Sequence, residues 1–390
     1  MSIPEQLPDD PLAGELDEFV RTHRLAERAR ELDRDPRFPR AEFRAMGEAG
    51  WLGLTCAAAA GGRGLPLPRA GTLLHRLAYR TGTVFAKLAL QPEFSSVLAE
   101  HGSPSLREAW VRPLAEGRRL VGNQLTERGA GSDPRHLELV ARRDGDSYLL
   151  DGEKTEVAFA EDAEAAIVYG RTGEGPSAGI TAFLVPQDSP GVERERTAAD
   201  LGERWQRRGT VRYRGVRVPA DHRLGEEGHG FDYVRPELTR ERVLLAAIYL
   251  GVGRASWTEV VGHAGTRTTF GRTLSGHEAV AFPIVEDGAR LDAAWLYTEQ
   301  TLRRLGQGQD VDAEAALAKW MATEVALRAI DHAIQFHGGR GYSSELPHEQ
   351  RWRDVRSGAI AHGPSEIMHL IAARKLWPRD RPAREDPPPG

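Results

Sequence analysis

The sequence predicts a mostly helical α+β fold in three units, and three observations predict it. Apolar residues recur at helical spacing in the first third, as in the run Gly71 to Tyr79. From Leu120 to about Val218, β-branched and aromatic residues alternate with polar ones at close spacing, the period of strands in a compact antiparallel sheet or barrel. The last third returns to long helical runs, Ala281 to Gly306 and Val311 to His337, joined by short glycine-bearing links, which predicts a four-helix bundle. The expected units are an N-terminal helical domain over 1–120, a central β-domain over 121–230, a helical bundle over 231–377 and a disordered tail over 378–390.

Composition bounds the function. A chain of 390 residues can bury a substantial core. Its 40% hydrophobic and 28% charged content is ordinary for a globular protein. A net charge of -5 gives no reason to expect a nucleic-acid partner. Cys56 is the one cysteine, so no intrachain disulfide forms, and its apolar setting predicts a buried, inert thiol. No apolar run reaches the roughly 18 residues that span a bilayer. The start, MSIPEQLPDD, is acidic and proline-bearing, unlike a targeting peptide. The expectation is a cytoplasmic protein with no membrane partner and no metal site.

In chain order, the first unit runs from about Leu12 to Gly122. Gly50-Trp51-Leu52-Gly53-Leu54 closes one helix, and Gly61-Gly62-Arg63-Gly64-Leu65 forms a flexible turn. In the middle unit, Ser147 to Leu150, Ala165 to Gly170 and Ile180 to Val185 read as strands, with turns expected at Asp144-Gly145 and Asp151-Gly152. Pro219 and the glycines from Gly225 to Gly230 end this block. Thr239 reads as the N-cap of the next helix, with Val243, Leu244, Ala247, Leu250 and Gly251 on one side. The tail after Leu376, WPRDRPAREDPPPG, cannot form a regular element. There is no internal repeat.

The most informative stretch is QFHGGRGYSSELPHEQRWRDVRSGAIAHGPSE, from Gln335 to Glu366. A helical run ends at His337 against Gly338-Gly339-Arg340-Gly341-Tyr342. A second run carries Arg351, Arg353 and Asp354, and a break at His362-Gly363-Pro364 precedes a new helix at Ser365. Two glycine gates within one helical hairpin point to a ligand site built largely from backbone, because glycine alone lets a ligand approach the chain closely.

This stretch resembles the carboxy-terminal signature of the acyl-CoA dehydrogenase family at Gln335, Gly338, Gly339, Gly341, Tyr342, Pro347, Glu349, Arg353, Asp354, Gly363, Ser365, Glu366 and Ile367. The string Leu125-Thr126-Glu127-Arg128-Gly129-Ala130-Gly131-Ser132-Asp133 is similar to the family's L-T-E-P-G-A-G-S-D. Arg267-Thr268-Thr269-Phe270-Gly271-Arg272 is similar to its R-x-T-F-G. The resemblance covers roughly residues 12 to 377 and implies the family's fold, with a β-barrel or sheet between two helical domains.

It also implies a FAD-dependent acyl-thioester dehydrogenase, an oxidoreductase acting on CH–CH bonds. Leu125 and Thr126 would contact the flavin ring. Arg267, Thr269 and Phe270 would meet the pyrophosphate and adenosine part of FAD, where a guanidinium suits a pyrophosphate. Gln335, Gly338 and Gly339 would receive the same FAD from a partner subunit, so a homodimer or homotetramer is expected. Ser132, Arg242, His362 and Gly363 would line the substrate site.

The base departs from the family's commonest pattern. The usual catalytic glutamate falls on His362. A minority branch, the isovaleryl and long-chain enzymes, carries the glutamate on an earlier helix directly before an arginine, and that position here is Glu241, followed by Arg242. Glu241 is the expected base, with His362 the other candidate, since a neutral imidazole can take a proton. The His362 amide keeps the family's place in polarising the thioester carbonyl whatever its side chain. The family's W-[IV]-[TS] flavin contacts become Glu156-Val157-Ala158, which should alter ring packing and redox tuning. Expected partners are an acyl-CoA or an acyl-carrier protein, with an electron-transfer flavoprotein or similar acceptor. The residues leave two alternatives open: a flavin monooxygenase or other non-dehydrogenating activity on the same fold, and a non-catalytic acyl-binding subunit.

Overall fold

The computed structural model describes residues 10–173, 179–196 and 200–377. The tail expected to be disordered, 378–390, lies outside the described residues.

Among the described residues, seven α-helices form the first unit: α1 (Pro11–Thr22), α2 (Leu25–Arg34), α3 (Arg40–Glu48), α4 (Leu67–Thr81), α5 (Thr83–Ala89), α6 (Ser96–His101) and α7 (Pro104–Ala115). Asp10 caps α1 and Ser103 caps α7, each side chain accepting from a backbone N–H of the first turn. The Gly61–Gly64 segment is an irregular loop, as expected.

The middle unit is one eight-stranded sheet of β1 (Val121–Gln124), β2 (Val140–Asp144), β3 (Ser147–Val157), β4 (Ala165–Arg171), β5 (Ile180–Pro186), β6 (Val192–Arg196), β7 (Gly209–Pro219) and β8 (Arg223–Leu224). Its order is β6-β7-β3-β2-β4-β5-β8, with β1 on β4. The purely antiparallel expectation needs correction, because β1 and β2 both pair with β4 in parallel. Asp144-Gly145 is the β2–β3 turn, as read. Asp151-Gly152 is not a turn: it lies inside β3 as a bulge, where the pairing with β7 slips between Leu150 and Gly152 and Asp151 Oδ1 accepts from Gly215 N at 2.7 Å.

The last unit is α8 (Gly230–Thr266), a short hairpin β9–β10 (Thr268–Thr269, Arg272–Thr273), α9 (Glu278–Gly306), α10 (Asp312–Phe336), α11 (His348–Arg356) and α12 (Ser365–Leu376). Helix α8 is the axis of the molecule. It packs on α4, α9 and α10, and every residue from Glu241 to Trp257 is buried. A helix buried on all sides has no apolar stripe to read, so its sequence lacks a polar face over this stretch. Gly251 and Gly253 allow the close crossings: a Cβ at Gly251 would overlap the His75 carbonyl of α4, and one at Gly253 would overlap Ala326 of α10.

Thr239 is not an N-cap. The helix begins nine residues earlier, at Gly230, and runs through Pro236. The Thr239 hydroxyl turns back to the Arg235 carbonyl at 3.1 Å and also bonds Asp312, so it serves helix packing instead of helix initiation.

Candidate active site

Three elements carry the candidate site residues. The first is the loop from Leu125 to Asp133, which follows β1. It is anchored by a buried ion pair: Lys154 Nζ, on β3, donates to Glu127 Oε1 at 2.7 Å and to the Leu125 carbonyl at 3.2 Å. Glu127 also accepts from the amides of Glu138 and Leu139. Burial lowers the Lys154 pKa to about 8 against the pull of Glu127. Leu125 and Thr126 are half-buried, Gly129, Gly131 and Ser132 are exposed and Ala130 is buried, so the loop stands partly open while Glu127 holds it to the sheet.

The second element is α8. Glu241 opens its fully buried stretch and is 2% exposed. Burial raises its pKa well above the ordinary value; Arg242 opposes the shift and Glu93 adds to it. Oε2 lies 3.0 Å from His362 Nδ1, and Oε1 is buried with no hydrogen-bond partner among the described residues. One turn earlier, Glu237 is also buried. It accepts from Ser96 Oγ at 2.8 Å, Val97 N at 3.0 Å and Asn123 Nδ2 at 2.9 Å, and burial raises its pKa to about 8, so it is largely protonated at neutral pH.

The third element is the loop from Ala361 to Gly363. Its three successive carbonyls each accept from a buried cation. Lys319 Nζ, on α10, reaches Ala361 O and Gly363 O, both at 2.6 Å, and Arg242 Nε reaches His362 O at 3.2 Å. His362 sits at φ +53 and Gly363 at φ +94, both left-handed. Histidine tolerates that region better than branched residues, and the side-chain contacts hold it there. The imidazole stacks on Phe94 (centroids 5.4 Å apart) and covers Glu241. Burial, with Lys87, Lys319 and Arg242 nearby, pushes its pKa down, so the ring is neutral at pH 7. A neutral imidazole against a carboxyl of raised pKa keeps the pair's net charge low.

The dinucleotide-type residues lie apart from this cluster. The end of α8 meets the Gly338 turn through stacked rings of His263 and His337 (4.2 Å). Arg267, Gln335, Gly338 and Gly339 are exposed around that junction, and a Cβ at either glycine would meet nothing within 4 Å. Phe270 is 94% exposed, at φ +47, with an edge contact to His277. An open glycine turn, a free-standing aromatic ring and an exposed guanidinium suit a phosphate-bearing ligand with an aromatic base. The Glu156 side chain pairs with Arg208 at 2.8 Å and does not stack over the space beside the Leu125–Asp133 loop.

Thus Glu241, Arg242, His362 and Gly363 come together, Leu125, Thr126 and Ser132 lie on an anchored loop, Arg267, Gln335, Gly338 and Gly339 lie around the end of α8, and Phe270 stands out from the β9–β10 hairpin against His277. Sequence reading missed Glu237, Lys319 and Glu127. Glu237 had a signal, a second carboxylate four residues before Glu241 on one helix face. Lys319 had one too, a lone cation in the alanine-rich run AALAKWMATEVA. Cys56, expected to be buried and inert, is half-buried beside Glu93, and desolvation, with the neighbouring carboxylate adding to it, pushes its thiol pKa up, away from reactivity.

Comparison with known proteins gives consistent matches. The family models for the acyl-CoA dehydrogenase N-terminal, middle and C-terminal domains match residues 11–118, 122–216 and 228–377. The human mitochondrial short-chain specific acyl-CoA dehydrogenase is 31% identical over 355 residues, 89% of this chain and 85% of that protein. Benzylmalonyl-CoA dehydrogenase of Aromatoleum aromaticum is 31% identical, covering 92% of this chain and 96% of its own. Among solved structures, butyryl-CoA dehydrogenase from Megasphaera elsdenii superposes with a TM-score of 0.89 at 25% identity, covering 96% of this chain and 98% of that one.

Glu237 gives a stability test. Glu237→Ala strands three donors and should lower stability by about 2–4 kcal/mol, whereas Glu237→Gln keeps one acceptor oxygen for Ser96 and Val97 and turns an N–H2 toward Asn123, so it should lose less, about 1–2 kcal/mol. Thermal midpoints of the two variants check this; equal losses would mean the hydrogen bonds contribute nothing.

Proposed function

The chain belongs to the acyl-CoA dehydrogenase family, oxidoreductases of CH–CH bonds, and from that premise we propose that it is a FAD-dependent acyl-thioester dehydrogenase with Glu241 as its base. The observation that carries the proposal is the Glu241 carboxyl itself: buried, with one oxygen unpartnered, and with its pKa raised by desolvation. Removing the α-proton of a thioester requires a carboxylate whose basicity approaches neutrality in a dry site. Water leaves that site when the acyl group enters, and the His362 ring moves off the carboxyl or stays as part of the pocket wall.

The backbone of Ala361 to Gly363 has its carbonyls turned to Lys319 and Arg242. The His362 amide is then the group proposed to hold the thioester carbonyl, where negative charge develops as the proton leaves. FAD, when bound, supplies the acceptor for the β-hydride. Leu125 and Thr126 would lie against its ring, Arg267, Thr269 and Phe270 against its pyrophosphate and adenosine, and Gln335, Gly338 and Gly339 against the same group from a second subunit. Ser132 would lie beside the carrier chain, whether coenzyme A or a carrier protein's phosphopantetheine.

A homodimer or homotetramer fits the exposed apolar residues Phe270, Phe282, Val285 and Leu296. An electron-transfer flavoprotein or similar acceptor would reoxidise the flavin. A cytoplasmic setting suits a chain with one unreactive cysteine, and no helix among the described residues is long and apolar enough to cross a membrane.

Four outcomes test the reading. Glu241→Gln should retain FAD and lose thioester-dependent flavin bleaching by about a thousand-fold or more; unchanged bleaching in anaerobic spectra removes Glu241 from the mechanism. Because the base acts deprotonated and burial raises its pKa, kcat/KM should rise with pH through a limb above the ordinary glutamate value near 4.3, and a limb at or below that value would contradict the burial argument. His362→Ala should keep bleaching within about ten-fold and change acyl preference, since the ring walls the pocket; full loss with FAD intact would make His362 the base. Arg267→Ala should weaken FAD binding by about ten-fold or more at unchanged secondary structure, read by flavin release on dilution.

A further inference from the structure

Beside Glu241, on the side of α8 that faces α6 and α7, lies a cavity of about 580 Å³ whose wall includes Thr55, Cys56, Glu93, Ser96, Glu100 and Arg240. It adjoins the proposed catalytic cluster. Glu93 is followed by Phe94, which stacks on His362, and Arg240 precedes Glu241 on the helix. Glu93 is also close enough to Glu241 to raise its pKa. The Ser132 loop, where the carrier chain would lie, belongs to the β-domain; the cavity is bounded by the N-terminal helices and α8.

The cavity wall holds a charge that plain hydrocarbon would not satisfy. Glu93 is 3% exposed. Its Oε1 accepts from the Thr55 hydroxyl and, at 3.7 Å, from Cys56 Sγ. Its Oε2 has no hydrogen bond among the described residues; the nearest cation is Arg240 Nη1 at 3.8 Å, an ion-pair separation beyond hydrogen-bond reach. Arg240 is itself drawn toward Glu100, 3.4 Å from its Nη2. A carboxylate can accept several hydrogen bonds, and one left short of donors is costly once an entering chain expels its water. An alkyl chain filling the cavity would expel that water and return nothing to Oε2.

Resting on the dehydrogenase reading, we propose that this cavity takes the far end of the acyl group and that Glu93 selects acyl thioesters carrying a hydrogen-bond donor there, a hydroxyl or an amine, over plain alkanoyl thioesters. The donor completes the hydrogen bonding of Glu93 Oε2. The wall carries Arg107, Arg112 and Arg240 against Glu93, Glu100 and Glu108, so a cationic end meets no net positive charge there.

The test uses the FAD-loaded protein and matched short- and medium-chain acyl-CoA thioesters with methyl, hydroxyl, amine or carboxylate ends. Binding is measured by perturbation of the flavin spectrum in the Glu241→Gln variant, and bleaching in the wild type. At the favoured length the hydroxyl or amine member should bind about ten-fold tighter than its alkyl counterpart. Glu93→Leu should abolish or reverse that preference, and Glu93→Gln should keep the preference for hydroxyl while losing that for amine. If Glu93→Leu does not hold FAD, the glutamine variant decides. Equal binding of donor-bearing and alkyl members, tighter binding of the carboxylate member, or a preference untouched by either variant would overturn the inference. Donor-selective binding without bleaching would sustain the pocket and overturn the dehydrogenase reading; bleaching without selectivity would do the reverse. Binding of no thioester would overturn both.

Discussion

The complete burial of α8 from Glu241 to Trp257 is the constraint on which the rest of the structure depends. A helix surrounded by α4, α9 and α10 cannot shift without repacking every neighbour, so a side chain at the first buried position is placed as firmly as any in the molecule. That position carries a carboxyl group. Taking an isolated carboxylate out of water costs several kcal/mol, and the group responds by holding its proton more tightly. The packing that makes α8 rigid is therefore also what makes Glu241 basic.

The loop opposite needs a different kind of support. Ala361, His362 and Gly363 carry consecutive carbonyls that would be unsatisfied beside the core, and two successive residues have positive φ. Lys319 and Arg242 answer both problems, bonding all three carbonyls and fixing the left-handed turn. Each cation costs desolvation: burial brings Lys319 down to about 7, with Arg242 and Lys87 adding to the shift. Charged hydrogen bonds to carbonyls are stronger than neutral ones, and they offset part of that cost. The loop is thus held from behind by side chains that belong to α8 and α10, the helices that also place Glu241.

Much of this was legible in the residues. The alternation of the central third gave a sheet, and the long apolar runs gave α9 and α10 within a few residues of their observed ends. The start of α8 was not legible, because Pro236 and Thr239 imitate a helix start while tertiary packing carries the helix through both. Asp151-Gly152 carries turn chemistry, yet it forms a bulge because β7 pairs on both sides of it. At the site, Glu241 and His362 could be named separately. Their 3.0 Å contact could not, since nothing local in the sequence relates residues 121 positions apart. Glu237 and Lys319 were hidden for a related reason: their significance is their burial, and a carboxylate or ammonium on a helix reads as a solvated one until the packing around it is known.

The two arrangements known within the family place the base either on this loop or on the earlier helix, and the geometry here gives a physical reason for the second. A residue at position 362 is tied at its backbone to Arg242, flanked by two carbonyls on Lys319 and held at positive φ. A long acidic side chain there would face Lys319 and Arg242 as well as the substrate, and their charge would lower its pKa, against the needs of a base. Glu241 feels Arg242 too, but it also feels Glu93 and sits deeper, and desolvation dominates its balance. With the base on the helix, position 362 is free to carry a ring that stacks on Phe94 and shields the carboxyl from water. On the proposed reading, the His362 ring acts as a wall over the Glu241 carboxyl, 3.0 Å from its Oε2, and leaves the proton to the carboxyl.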